Sequence, residues 1–73
     1  MNEGVYVALG ARIRIIREAL GLNQAEMAQR IGLERVAFTN IEIGRQRIRL
    51  DQVEAIAKAL GTSPKHLMRG SWW

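Results

Sequence analysis

Residues 22–44 read LNQAEMAQRIGLERVAFTNIEIG, and the reading of this stretch decides the fold. Asn23 is a favourable N-cap, because its side-chain oxygen can accept from a free amide of the first helical turn. Glu26, three residues on, can reach back to the Asn23 amide and complete a capping box. Ala25, Met27, Ala28 and Ile31 form a narrow apolar stripe at helical spacing, which predicts a helix over 24–31. Gly32 stops it, since glycine takes the left-handed conformation at little cost. A second apolar series, Ala37, Phe38 and Ile41, predicts a helix over 35–43 that closes at Gly44. Two helices of about two turns each, joined by a short glycine turn, are the signature of a helix-turn-helix.

The flanking sequence supplies the helices that would hold this pair. From Val5 to Leu20 the apolar residues Leu9, Ile13, Ile16 and Leu20 fall on one face, with Arg12 and Glu18 opposite. Gly10 inside that helix lowers its propensity by about 1 kcal/mol relative to alanine, and a residue that small admits close approach by another helix. Val5, Tyr6 and Val7 either extend the helix or form an arm on a partner subunit. Gly21 ends this helix, and Leu22 staples the next. Residues 44–49, GRQRIR, are a loop with Ile48 turned inward. Leu50, Val53, Ile56, Ala57 and Leu60 predict a fourth helix over 50–60 with a core stripe, and Gly61 ends it. Ser63 and Pro64 open a short fifth helix, serine as cap and proline at the first helical position. The expected fold class is therefore all-α, with five helices in a single domain over 1–73.

Composition excludes several function classes. A 73-residue chain with 48% hydrophobic and 25% charged residues is globular and has room for one small domain, and so small a core often gains from dimerisation. It has no cysteine, hence no disulfide or thiolate metal site. A lone His66 offers no metal set, and no apolar run approaches the about 18 residues of a membrane span. Catalysis is improbable with one histidine, no Gly-rich phosphate loop and scattered carboxylates. The expectations are no enzyme, no cofactor, no metal, no membrane contact and a cytoplasmic location.

The net charge of +4 is concentrated: residues 30–49 carry Arg30, Arg35, Arg45, Arg47 and Arg49 against Glu34 and Glu42. A basic surface on a helix-turn-helix points to nucleic-acid phosphates. The start of the helix after Asn23 presents unpaired amides and a positive dipole end, suited to a phosphate, and Gln24 can add its side-chain amide. Arg45 and Arg47 suit backbone clamping, with Arg49 beside them.

The chain resembles the phage repressor and Cro family, which includes the XRE-like bacterial regulators. The resemblance rests on Gln24, Ala28, Gly32, Glu42 and Gly44 with apolar Met27, Ile31, Phe38 and Ile41 between them. It continues through Gly10, Arg14 and Arg17 upstream and Ala57, Leu60 and Gly61 downstream, covering roughly residues 9–69 and leaving 1–8 and 70–73 as flanks. It implies a compact lambda-repressor-like domain that reads double-stranded DNA with its third helix in the major groove. Arg35, Val36 and Asn40 fall on the family's base-reading positions, with Thr39 also outward, and Glu34 caps the helix or touches the groove edge. Arginine suits guanine, asparagine adenine, and valine a thymine methyl. Arg17 and Glu42 match residues that form a partly buried ion pair. The chain departs from the family at Glu34, where Ser, Thr or Asp is usual, at Ile48 (usually Pro) and at Arg49 (usually Ser).

The expected function is a transcription regulator that binds a palindromic operator as a homodimer, of the kind found among Cro-type repressors and restriction–modification controller proteins. Leu67, Met68, Trp72 and Trp73 are candidates for the subunit interface, with folding back over the core as the alternative for the tryptophans. The rival reading is an antitoxin-type module that binds a protein partner through those tryptophans as well as DNA.

Overall fold

Helix α1 (Glu3–Ala19) opens the fold in the computed structural model, which describes residues 3–68. It is followed by α2 (Gln24–Arg30), α3 (Arg35–Glu42), α4 (Leu50–Ala59) and α5 (Pro64–Met68). All regular elements among the described residues are helices, and the expected bounds hold to within two residues. Val5, Tyr6 and Val7 lie within α1, so they extend the helix.

The core is a single cluster fed by every helix. Leu9 and Ile13 come from α1, Met27 and Ala28 from α2, and Phe38 and Ile41 from α3. Val53, Ile56 and Ala57 of α4, with Leu60 beyond it, close the far side, and Leu67 of α5 fills the end. Each large side chain removed from water contributes about 1.5–3 kcal/mol. Ile31, Leu33 and Ile48 pack on the rim, so the inward turn of Ile48 expected from the loop sequence is present.

Local chemistry sets the helix ends. The Glu26 amide donates to Asn23 Oδ1 at 2.8 Å and the Asn23 amide to Glu26 Oε1 at 2.9 Å, a complete capping box. Gly32 turns the chain with φ +71°, where a side chain would be strained. The His66 amide donates to Ser63 Oγ at 3.1 Å, and Arg12 Nε reaches the His66 carbonyl at 3.0 Å, which binds α5 to α1.

Four expected core or interface positions are placed differently. Ala25 is exposed, because it and Met27 lie about 200° apart around a helix and cannot share a face. Leu20 is 53% exposed, since α1 ends at Ala19 and the chain has left the helical path. Leu50 is 72% exposed, being the first residue of α4, which enters the core only at Val53. Leu67, a candidate for the subunit interface, is fully buried inside its own chain and presents nothing to a partner; Met68 is half-buried. Trp72 and Trp73 lie outside the described residues.

Gly10 is the point of closest helix contact. A Cβ built there would overlap the Ile41 carbonyl oxygen and come within 2.5 Å of that of Glu42. These are rigid backbone atoms at the end of α3. Gly10→Ala is therefore expected to push α3 off α1 and to destabilise the fold by about 1–3 kcal/mol, read as a lower urea midpoint at unchanged slope.

Candidate nucleic-acid interface

A buried polar network joins the first three helices. Arg17 on α1 and Glu42 at the end of α3 are only 6% and 4% exposed. Arg17 Nε donates to Glu42 Oε2 at 2.6 Å and Nη2 to Oε1 at 3.1 Å, the two-pronged pairing that arginine makes with a carboxylate. The third guanidinium nitrogen, Nη1, donates to the Leu22 carbonyl at 2.7 Å in the turn before α2. The hydrogen bond to Glu42 raises the Arg17 pKa, and burial opposes that effect without overcoming it. The ion pair implied by the family resemblance is thus present.

The same carboxylate reaches α2. Gln24 Nε2 donates to Glu42 Oε1 at 2.9 Å, and Gln24 Oε1 accepts from Thr39 Oγ1 at 2.8 Å. Gln24 and Thr39, expected at phosphate and base respectively, are therefore joined to one another. No buried side-chain nitrogen or oxygen among the described residues lacks a partner. Beside Gln24, an open cleft between the starts of α2 and α3 is lined by Arg17, Asn23, Gln24, Ala25 and Arg35. The side-chain oxygen of Asn23 is occupied as the α2 cap.

The outward face of α3 follows from its periodicity. Phe38, Ile41 and Glu42 point inward, which leaves Val36 and Asn40 on the opposite arc with Thr39 at its edge. Arg35, seven residues before Glu42 and near its side, is exposed because it opens the helix. Arg35 is exposed, Val36 is 70% exposed, and Thr39 and Asn40 are half-buried. Glu34 occupies the N-cap position by its backbone alone, and its exposed side chain bonds no helix amide. Ile43, 46% exposed, extends this face seven residues beyond Val36 and was missed as a candidate. The spacing from Val36 carried that signal.

Arg45 and Arg47 are exposed in the loop, whose start is fixed by the Arg45 and Gln46 amides donating to the Asn40 carbonyl at 3.0 and 3.3 Å. Arg49 differs from them. Its Nε lies 3.0 Å from Asp51 Oδ1 and its Nη2 3.4 Å from Oδ2. That hydrogen bond holds the Asp51 carboxyl below the usual range and raises Arg49. Arginine has no acceptor for capping α4, and the cap is supplied in reverse, with the Arg49 amide donating to Gln52 Oε1 at 2.9 Å. Among the described residues, no group of three His, Cys, Asp or Glu side chains could hold a metal ion, and no helix is long and apolar enough to cross a membrane.

A short capped helix set against a second one that exposes Arg35 and Val36 ahead of an arginine-bearing loop, with their relative position fixed from a third helix, defines a helix-turn-helix protein of the repressor type. A family model described as a helix-turn-helix domain matches residues 8–69, and the chain belongs to that family, among its phage-repressor and XRE-like regulators. It is 33% identical over 69 residues to the control protein C.BamHI of Bacillus amyloliquefaciens, covering 93% of this chain and 85% of that protein. The crystal structure of the restriction–modification controller protein C.AhdI from Aeromonas hydrophila superposes with a TM-score of 0.82 at 34% identity, over 85% of this chain and 94% of that one. The P22 c2 repressor, solved in complex with a synthetic operator, gives 0.78 at 32% identity over 85% and 94%. The fold is lambda-repressor-like, and these relatives are regulators, not members of a catalytic family.

Removing one member of the Arg17–Glu42 pair strands the other in the interior. Glu42→Leu is expected to cost about 3–5 kcal/mol, whereas Glu42→Leu combined with Arg17→Met should recover a substantial part of that loss. Urea unfolding of the two variants measures both, and equal losses would contradict the assignment of the penalty to an unpaired guanidinium.

Proposed function

We propose that this chain is a sequence-specific regulator of transcription that binds a palindromic operator in double-stranded DNA as a homodimer, with α3 in the major groove. The observation that carries the reading is the outward set of exposed Arg35 and Val36 with half-buried Asn40, held in fixed relation to the start of α2 by the buried network. Similarity to a repressor solved on an operator and to two control proteins supports it. The cytoplasm is the compartment in which it would meet its target.

The roles divide by chemistry. Arg35 pairs with guanine, Asn40 with adenine, and Val36 packs on a thymine methyl, each bidentate pair being worth roughly 1–3 kcal/mol of discrimination. Glu34 lies at the groove edge, where a carboxylate can accept from a cytosine amine. Gln24 and the side-chain amide nitrogen of Asn23 contact one phosphate, and Arg45 and Arg47 others. Arg49 contributes less, because Asp51 already neutralises it. Two-fold symmetry places the α3 helices in successive major grooves, about 34 Å apart. Within the described residues, half-buried Met68 at the end of α5 is the candidate for the subunit contact.

Selection from random duplex DNA at about 150 mM salt, where non-specific attraction is partly screened, is expected to return a two-fold symmetric motif. Salt-sensitive binding with no motif would overturn sequence-specific recognition. On the selected operator, Arg35→Ala should relax preference at one position per half-site, and a uniform loss on all sequences would refute its base-reading role. Asp51→Asn should release Arg49, tighten binding and steepen the salt dependence by about 0.9 in log–log slope for each phosphate gained. An unchanged slope would show that Arg49 faces away from DNA.

A further inference from the structure

We infer that Thr39 is a positioning residue that acts through Gln24, locking the amide in the orientation that Glu42 imposes, with a nitrogen-bound hydrogen free for the DNA backbone. The inference rests on the DNA-binding reading above and reassigns Thr39 within it, from reading bases to preparing a phosphate contact.

A glutamine side chain has one oxygen that accepts and one nitrogen with two hydrogens to donate. In this structure Gln24 Oε1 accepts from the Thr39 hydroxyl at 2.8 Å, and one hydrogen of Nε2 goes to Glu42 Oε1 at 2.9 Å. Rotating the amide by half a turn would set its oxygen against the Glu42 carboxylate, acceptor against acceptor. The carboxylate cannot yield, because Arg17 holds it from the other side at 2.6 and 3.1 Å. A threonine hydroxyl donates or accepts equally well, so it follows the orientation that Glu42 imposes and locks it by donating. One Nε2 hydrogen is left over, on a side chain that lines the open cleft with Asn23, Arg17 and Arg35. That hydrogen suits an anionic oxygen, and the Gln24 Oε1 that would repel such an oxygen is turned away toward Thr39. Thr39 is half-buried and spends its only hydrogen on Gln24, which leaves it no hydroxyl donor for a base.

The test is a double-mutant cycle on DNA affinity. Thr39→Val keeps the shape of the side chain and removes the hydroxyl; Thr39→Ser keeps the hydroxyl. Thr39→Val should weaken binding about three- to tenfold, the equivalent of one lost hydrogen bond. The loss should be the same on the selected operator and on random-sequence duplex, with base preference unchanged. Thr39→Ser should bind within about twofold of the parent, because the hydrogen bond to Gln24 is retained. In a Gln24→Ala background, Thr39→Val should have no further effect. A shift of preference at one operator position, or a full additional loss in the Gln24→Ala background, overturns the inference and returns Thr39 to base reading or to a purely structural role. If Gln24→Ala itself leaves affinity unchanged, the phosphate role of Gln24 fails instead, and that outcome is distinct because it appears without any Thr39 variant.

Discussion

The Glu42 carboxylate is the group about which the first three helices are arranged. It lies in the interior, where an ion without a partner is strongly unfavourable, so α3 is held where Arg17 can reach it. Two contacts then fix α3: the two-pronged pairing sets its rotation, and the absence of a side chain at Gly10 sets its distance from α1. A third follows from the same atoms. Because Glu42 Oε1 also accepts from Gln24, the start of α2 is placed relative to α3 by a hydrogen bond as well as by packing. Each of these polar groups is satisfied, which is the condition for a buried network to rigidify a fold.

Rigidity of this kind matters because the elements are short. At seven and eight residues, α2 and α3 are well below the length at which a helix persists alone in water. Their geometry is imposed from outside, by the apolar cluster on one side and the Arg17 network on the other. The outward arc of α3 therefore carries residues that contribute little to stability. Val36, at 70% exposure, is free to be chosen for what it meets outside the protein. Separation of a fixed inner face from a variable outer one suits a reading surface.

The helices and their ends were legible in the sequence because their causes are local. The Asn23–Glu26 box spans three residues, the serine cap of α5 spans three, and the glycine stops act at single positions. Periodicity found Leu9, Ile13, Phe38, Ile41 and Val53 for the same reason. It misplaced Leu20 and Leu50, since it assigns a face and says nothing of where the core ends along the helix. Leu67 was misjudged by its position near the end of the chain, when its apolar spacing belonged to the core. The bond between Thr39 and Gln24 was invisible: fifteen residues separate them, and outward placement on α3 is equally consistent with reaching a neighbouring helix. The resemblance supplied the Arg17–Glu42 pair, which spacing alone, twenty-five residues apart, could not. Arg49–Asp51 was within local reach, yet a basic loop read as one charge cluster hid a pair already neutralised within it.

The acidic residues give the most informative view of the basic face. Glu26 is committed to a cap, Glu42 to Arg17, Glu18 to Arg14 and Asp51 to Arg49. Glu34 differs: it is exposed at the start of α3, beside Arg35, and bonds no helix amide. A carboxylate in that place repels phosphate, and it weakens any attraction that depends on charge alone. Purely electrostatic holding of DNA would favour its absence. A groove that offers a donor, such as a cytosine amine, turns the same carboxylate into an acceptor whose partner depends on sequence. In the proposed complex, Glu34 and Arg35 together thus trade general affinity for discrimination at the tip of α3, and Arg45 and Arg47 would supply the sequence-independent attraction from the loop behind it.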